Sequence, residues 1–270
     1  MSEKISSEKS TLLKVNNLSI AFGGLKAVDS LSFDIKEKEI FGLIGPNGAG
    51  KTTVFNCITQ FYKADEGEVL FQDKDNKVRN LREHSVHEII NYGLVRTFQN
   101  VELIKELSIL DNVMIGAHID FKSTIIEQAF RLPRARREER ELKEEAIKIL
   151  RSLGIEDRKD YLVAGQPYGV LKKVELARTL MCRPKLIILD EPAAGLNDTE
   201  TLQLTEMIRK IRDEFNCSVL LVEHDMRLVM GVCDRICAIS FGKLLCLGSR
   251  EEVQRNKDVQ LAYLGTDGDE

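Results

Sequence analysis

The feature that most constrains this chain is a glycine-rich loop between an apolar run and a helix-like segment. Residues 45–52 read GPNGAGKT and match the pattern G-x-x-x-x-G-K-[ST] in full. Residues 39–44 before the loop are almost entirely apolar, which is typical of a strand covered on both faces, and residues 51–60 have helical character. This order predicts a phosphate-binding loop, because glycines let successive backbone N–H groups turn towards one anion at a helix N-terminus.

Two side chains of this loop add a charge and a metal ligand. Lys51 is placed to hold the β- and γ-phosphates of a nucleotide, and the hydroxyl of Thr52 is placed to bind Mg²⁺. The residues predicted to bind the nucleotide are Gly45, Pro46, Asn47, Gly48, Ala49, Gly50, Lys51, Thr52 and Thr53.

A second motif places two carboxylates at the end of another apolar strand. Residues 186–191 read LIILDE, and Asp190 suits a direct or water-mediated contact to Mg²⁺. Glu191 is placed to polarise an attacking water as a general base. The alternative, that the acidic pair caps the helix predicted from Thr199, fits poorly because Pro192 and several further residues intervene.

Strand and helix patterns alternate on both sides of these motifs. A helix predicted at residues 199–215 separates two apolar strands, which is the pattern of a parallel α/β sheet. The turn between the first two strands is predicted at Gly23 and Gly24. The predicted strands cover residues 18–22, 31–35, 39–44, 68–71, 185–190 and 218–223, with a final hairpin of residues 236–240 and 244–247.

A helical insertion interrupts this α/β core. Helical spacing dominates from about residue 101 to residue 153, and residues 131–151 are dense in Arg, Lys and Glu. The charged remainder of the last helix is interpreted as its solvated face rather than as a dedicated binding surface. Its apolar residues fall on one predicted helix face and are Leu142, Ala146, Ile149, Leu150 and Leu153.

Composition excludes several classes of protein. With 39 basic and 43 acidic residues the net charge is −4, which argues against a nucleic-acid binder that works by bulk charge. No apolar run approaches the roughly 20 residues needed to cross a bilayer, and residues 1–10 lack the apolar centre of a secretory signal. The six cysteines form no zinc-binding pattern, so reduced thiols in a cytoplasmic protein are expected.

The two motifs, with Gln99 between them and His224 after them, resemble an ATP-binding cassette (ABC) ATPase over nearly the whole chain. The resemblance implies an α/β fold with a P-loop NTPase core, an antiparallel β subdomain and an inserted α-helical subdomain. It also implies a single ABC ATPase domain over residues 11–265, the inserted helices at 100–165, and flexible termini at 1–10 and 266–270.

The resemblance assigns further roles residue by residue. Gln99 occupies the Q-loop, beside the γ-phosphate and Mg²⁺, and His224 matches the switch histidine that contacts the γ-phosphate. With Glu191 these two form the expected catalytic set, and Thr52, Gln99 and Asp190 form the expected metal set. Phe22 stands where the family places an aromatic ring against adenine, and Asn197 lies in the D-loop.

The family's signature sequence is degraded in this chain. Where Leu-Ser-Gly-Gly-Gln is expected, residues 166–170 read QPYGV, so that Pro167 replaces the serine and Val170 the glutamine. Tyr168 and Gly169 remain as the predicted contacts to the nucleotide of an opposing subunit. The departure puts that opposing site in doubt and leaves the site of Lys51 and Glu191 untouched.

Four stretches narrow the resemblance to one kind of transporter. Residues 96–99 (RTFQ), 190–197 (DEPAAGLN), 223–226 (EHDM) and 262–265 (AYLG) resemble the G-type ATPase of high-affinity branched-chain amino acid importers. Related ATPases serve urea or amide importers and lipopolysaccharide export, although the export ATPase has a shorter helical region and typically no RTFQ. The transported substrate stays open, because the ATPase does not touch it.

This resemblance implies ATP, Mg²⁺ and a set of protein partners. The partners are a second ABC ATPase, two membrane permeases and an external substrate-binding protein, with the chain peripheral on the cytoplasmic face of the inner membrane. A DNA-maintenance ATPase would need a coiled coil or zinc insertion, and a translation-associated protein would carry two cassettes. A regulatory nucleotide-binding module without turnover is disfavoured by Glu191 and His224.

Overall fold

The computed structural model describes residues 10–97, 102–117, 127 and 132–264, which form two compact units. Of the described residues, those within Met1–Leu94 and Lys185–Glu270 form unit 1, and those within Val95–Pro184 form unit 2. The strands are β1 (Thr11–Phe22), β2 (Leu25–Lys36), β3 (Ile40–Ile44), β4 (Glu66–Gln72), β5 (Val78–Asn80), β6 (Leu94–Arg96), β7 (Leu186–Asp190), β8 (Ser218–Val222), β9 (Arg235–Ser240) and β10 (Lys243–Ser249). The helices are α1 (Lys51–Ile58), α2 (Val86–Tyr92), α3 (Ile109–Ile115), α4 (Pro133–Ser152), α5 (Tyr168–Leu180), α6 (Asp198–Phe215), α7 (Met226–Val232), α8 (Arg250–Arg255) and α9 (Lys257–Leu264).

Unit 1 contains two sheets. The first is antiparallel, in the order β2-β1-β4-β5, and β1 and β2 form a hairpin that turns at Gly23 and Gly24. The predicted strands at 18–22 and 31–35 are real but too short, because β1 and β2 have 12 residues each. Register shifts along this pair break the simple alternation of apolar and polar residues, which hides the rest of each strand from pattern reading.

The second sheet of unit 1 places three loops at one edge. Its strands lie in the order β10-β9-β3-β8-β7, and the pairs β3–β9, β3–β8 and β8–β7 are parallel. Every residue of β3, β7 and β8 is buried, as the nearly continuous apolar runs predicted. Because these strands run in the same direction, the segments that follow Ile44, Asp190 and Val222 all leave from the carboxyl edge of the sheet.

Unit 2 contains α3, α4 and α5, and the structure confirms the predicted apolar face of α4. The predicted residues are all buried: Leu142, Ala146, Ile149, Leu150 and Leu153, the last at the helix C-cap. The charged residues of α4 are mostly exposed, and Arg137 pairs with Glu141 at 2.8 Å one turn away. The domain boundaries 11–265 and 100–165 stay predictions.

The structure also bears on the thiols and on membrane insertion. All six cysteines are free, and Cys57, Cys217, Cys233 and Cys237 are buried. Burial raises the pKa of the Cys57 thiol to about 11. Within the part of the chain that the structure describes, no helix combines the length and the apolar character that crossing a bilayer requires.

Candidate functional site

The glycine-rich loop joins β3 to α1 and needs glycine for two reasons. Gly48 and Gly50 have φ values of 77° and 100°, in the left-handed region that residues with a Cβ rarely adopt. A Cβ on Gly50 would lie 2.5 Å from the carbonyl oxygen of Ala27, and one on Gly45 would lie 2.3 Å from that of Ile239. Backbone from β2 and β9 therefore packs directly against this loop.

The turn between β9 and β10 braces the same loop. The N–H of Gly242 donates to the carbonyl of Ala49 at 2.9 Å, and the carbonyl of Gly242 accepts the N–H of Asp29 at 2.9 Å. A Cβ on Gly242 would lie 2.5 Å from the carbonyl oxygen of Ala27. This hairpin turn was predicted from the sequence, but a part for Gly242 in the site was not.

Lys51 is the first residue of α1 and is almost fully buried. Its ammonium group donates to the carbonyls of Gly45 at 2.7 Å and Pro46 at 3.1 Å, so its charge lies inside the loop. Thr52 is exposed beside it, and Thr53 is half-buried. The structure thus places one cation and one exposed hydroxyl at the start of α1.

Carboxylates of the same sheet edge act on Lys51. Burial lowers the pKa of the Lys51 ammonium, and Glu191, Glu223 and Asp190 oppose that shift through their negative charge. Asp190 is the last residue of β7 and is buried. The loop lysine and the acidic motif, 139 or more residues apart in the sequence, are therefore brought into one electrostatic neighbourhood.

Glu191 has an unusual backbone. Its φ is 45°, in the left-handed region, and its N–H donates to the carbonyl of Val222 at 2.9 Å. A residue with a Cβ held in this region costs on the order of 1–3 kcal/mol, and such residues concentrate at active sites. The chain thus turns sharply at the end of β7, and the Glu191 side chain is 27% exposed.

His224 lies beside Glu191. Its Nδ1 atom is 3.7 Å from Oε1 of Glu191, and the imidazole is 54% exposed. Because a general base within reach of an orienting imidazole is a common hydrolytic arrangement, the geometry suits activation of a water molecule at this edge. The predicted catalytic residues Glu191 and His224 are neighbours in the structure, whereas Gln99 lies outside the described residues.

Glu223 is a residue that the sequence analysis did not single out. It follows β8 directly and is fully buried, and its carboxylate accepts the backbone N–H groups of Ala193, His224 and Asp225. The sequence did contain a signal, since residues 219–223 (VLLVE) repeat the pattern of an apolar strand that ends in an acidic residue.

Phe22 forms an aromatic pair that the sequence did not predict. It is the last residue of β1 and is 47% exposed, and its ring meets that of Tyr62 edge to face, with centroids 5.3 Å apart. Tyr62 is also exposed. An exposed aromatic pair is suited to stacking a planar base, and the contact of Phe22 with adenine stays a prediction.

Asn197 has a structural role in addition to its predicted place in the D-loop. Its side chain accepts the N–H of Glu200 at 3.0 Å, and the Glu200 carboxylate accepts the N–H of Asn197 at 2.9 Å. This reciprocal capping box begins α6. The structure therefore rules out the alternative that Asp190 and Glu191 cap this helix.

In unit 2, the predicted signature residues open helix α5. Tyr168 and Gly169 are its first two residues, and Pro167 at the N-cap provides no side-chain hydrogen bond. The Tyr168 ring is about half exposed, with the Lys172 ammonium 4.9 Å from its centroid. Apart from its chain neighbours and its own helix backbone, nothing among the described residues lies within 4 Å of a Cβ built on Gly169, so this turn is open on that side.

Comparison with known proteins identifies close relatives. The model of the family described as "ABC transporter" matches residues 28–194. The chain is 41% identical to the high-affinity branched-chain amino acid transport ATP-binding protein LivG of Salmonella typhimurium and 40% identical to that of Escherichia coli K12, in each case over 94% of this chain and 98% of the relative. It is 41% identical to the corresponding protein BraF of Pseudomonas aeruginosa, with the same coverage.

Solved structures agree with this similarity. The ADP conformation of MJ1267, an ATP-binding cassette of an ABC transporter, superposes with a TM-score of 0.80 at 32% identity. The match covers 95% of this chain and 99% of that one. A nucleotide-free ATP-binding cassette from an ABC transporter matches with a TM-score of 0.78 at 31% identity, over 94% of this chain and 99% of that one.

Proposed function

This chain belongs to the ABC transporter family, and from that premise we propose that it is the ATP-hydrolysing subunit of an importer for branched-chain amino acids. The proposal rests on one observation. A complete phosphate-binding loop, Glu191 and His224 lie together at one edge of a sheet. The substrate class rests on the identity of 40–41% to LivG and BraF over 94% of the chain.

Different groups of this chain bind the nucleotide and activate the attacking water. Backbone N–H groups of the glycine-rich loop after Pro46 and the Lys51 ammonium hold the phosphates, and Phe22 stacks against the adenine. Glu191 takes a proton from the attacking water while the new bond from oxygen to the γ-phosphorus forms. The bond between the γ-phosphorus and the bridging oxygen breaks, which leaves ADP and phosphate. His224, 3.7 Å from Glu191, contacts the γ-phosphate side of the reacting group.

The donors present fit a magnesium ion. Thr52 offers an exposed hydroxyl at the start of α1, and Asp190 offers a carboxylate at the carboxyl edge of the sheet. Both are oxygen ligands, the kind that Mg²⁺ prefers, and Gln99 is proposed as a third. When bound, Mg²⁺ neutralises charge on the β- and γ-phosphates.

The proposed assembly contains a second ABC ATPase, two membrane permeases and an external substrate-binding protein. The chain attaches to the permeases at the cytoplasmic face of the inner membrane. ATP draws two ATPase subunits together and hydrolysis releases them, so that nucleotide state shifts the population of permease conformations. Tyr168 and Gly169 of this chain face the nucleotide of the second ATPase, whose own signature faces the nucleotide on Lys51.

Uptake measurements test the proposed substrate. Removing this chain from its own cell is expected to abolish high-affinity uptake of leucine, isoleucine and valine and to leave uptake of urea and amides unchanged. Restoring the wild-type chain should restore uptake, whereas the Lys51→Ala variant should not. Loss of urea or amide uptake, or defective lipopolysaccharide export with normal amino acid uptake, would support the alternative ABC systems instead.

The degraded signature predicts two unequal ATP sites. Because Pro167 lacks the hydroxyl and N–H that the family's serine would offer to a γ-phosphate, the chain alone should hydrolyse ATP slowly and accelerate when partner and permeases are added. Replacing Pro167 with Ser and Val170 with Gln should speed the partner's site more than the site of Lys51. Single-site turnover is measured with the general base removed from one subunit at a time. An isolated chain that dimerises on ATP and matches the full assembly would contradict this asymmetry.

A further inference from the structure

We propose that Glu223 is a positioning residue for ATP hydrolysis, because its buried carboxylate ties the turn that carries Glu191 to the turn that carries His224. The inference deepens the proposed function, since it concerns the same hydrolytic site and rests on it. It assigns a role to a side chain that is 1% exposed and whose oxygens accept backbone N–H groups.

Three hydrogen bonds define this clamp. Oε1 of Glu223 accepts the N–H of Ala193 at 2.8 Å, two residues after Glu191. Oε2 accepts the N–H of His224 at 3.0 Å and that of Asp225 at 3.2 Å. One side chain therefore fixes the position of the segment after β7 relative to the segment after β8.

The backbone of Glu223 anchors the clamp to a third strand. Its N–H donates to the carbonyl of Leu43 at 3.3 Å, one residue before the end of β3 and close to the start of the phosphate-binding loop. The carboxylate is also among the negative charges that act on Lys51. Displacement of Glu223 would therefore shift the loops that follow β3, β7 and β8.

The chemistry of the three partners requires a carboxylate. All three are N–H donors, and a carboxylate accepts hydrogen bonds at both oxygens. Glutamine has one amide oxygen and one NH₂ group. In Glu223→Gln the NH₂ group would therefore face a backbone N–H, and two donors form no hydrogen bond with each other. Leaving a buried N–H unpaired destabilises the turn that carries it, and that turn would move to relieve the cost.

Glu223 is not placed to act as the base itself. Its side chain is 1% exposed, and both of its oxygens already accept backbone N–H groups, whereas the Glu191 side chain is 27% exposed. Nδ1 of His224 is 3.9 Å from Oε2 of Glu223 and 3.7 Å from Oε1 of Glu191. Glu223 therefore acts through the placement of the two catalytic side chains.

The test compares Glu223→Gln with Glu39→Gln in the full chain. Glu39 is a matched control, because it is also buried and its carboxylate accepts a backbone N–H, that of Lys36 at 2.6 Å. It lies just before β3, at the amino edge of the same sheet and away from the site. The ATPase rate at saturating Mg-ATP, the ATP dissociation constant and the melting temperature are measured for each variant.

We expect Glu223→Gln to keep its ATP affinity within about twofold and to lose at least about tenfold in kcat, because a misplacement of about 1 Å costs up to about 10²-fold. Glu39→Gln should keep the wild-type kcat at a similar change in melting temperature. In a His224→Ala background, the loss in kcat from Glu223→Gln should be smaller than in the wild-type background, because only the placement of Glu191 is then left to disturb. Amide exchange at Ala193, His224 and Asp225 should accelerate in Glu223→Gln and not in Glu39→Gln.

The outcomes separate this inference from the proposed function. Absence of ATP binding in the wild-type chain counts against the proposed function itself. Equal kcat for Glu223→Gln and Glu39→Gln, or a loss of ATP affinity that accounts for the whole effect, overturns the role of Glu223. If Glu223→Gln does not fold, Glu223→Asp serves instead, since it keeps the charge but is shorter by one C–C bond, about 1.5 Å. Wild-type kcat in Glu223→Asp would equally overturn the role.

Discussion

Glu191→Gln is expected to leave ATP bound and to lower its hydrolysis by at least ~10²-fold, the usual cost of losing a general base. Glutamine has the shape of glutamate and keeps one hydrogen-bond acceptor, but it does not accept a proton from water. The bond to Val222 is made by the backbone N–H of residue 191, which glutamine also has, so the left-handed turn at φ 45° is expected to persist in the variant. Single-turnover ATPase and nucleotide-binding measurements check the two halves of the result.

A matched variant controls for the loss of one negative charge. Glu37 is 38% exposed at its side chain, against 27% for Glu191, and it lies between β2 and β3 at the amino edge of the sheet. Glu37→Gln should retain wild-type turnover. Turnover within a factor of two of wild type in Glu191→Gln would mean that another group activates the water.

Lys51→Ala is expected to lose ATP affinity and turnover together. The ammonium lies inside the loop, and each charge-assisted hydrogen bond that it makes to a phosphate oxygen is expected to contribute about 1.5–3 kcal/mol. That range corresponds to a loss of roughly 10- to 100-fold in affinity per bond. Its two hydrogen bonds are to carbonyls of the loop itself, so its removal is expected to disturb the loop and not to unfold the chain. Calorimetric titration with ATP and a thermal melt measure both effects.

Lys185→Ala is the matched control for this variant. Lys185 is likewise held by loop oxygens, since its ammonium donates to the carbonyl of Asp73 at 3.2 Å and to Oδ1 of Asn76 at 3.1 Å. It directly precedes β7 at the opposite edge of the sheet from the phosphate-binding loop. Its replacement should leave ATP affinity unchanged. Equal ATP affinity for wild type and Lys51→Ala would contradict the assignment of the loop.

Local patterns predicted the central strands well. β3, β7 and β8 are short, continuous apolar runs, and each lies within one residue of its predicted bounds. The short elements β5, β6, α2, α7, α8 and α9 were missed. Helix α2, for example, has only seven residues and one buried side chain, Ile89. Its apolar stripe is therefore too short to predict a helix from the spacing of apolar residues. Its capping box of Ser85 and Glu88 was the readable signal.

The sequence by itself determined the α/β fold, the phosphate-binding loop and the acidic strand end, because each depends on residues that are close together along the chain. Only the tertiary structure decided what surrounds them: the turn of Gly242 against Ala49, the ring of Tyr62 against Phe22, and the clamp of Glu223. These contacts join residues about 30 to 190 positions apart. Such pairs depend on strand order and on loop closure, and neither leaves a periodicity in the local sequence.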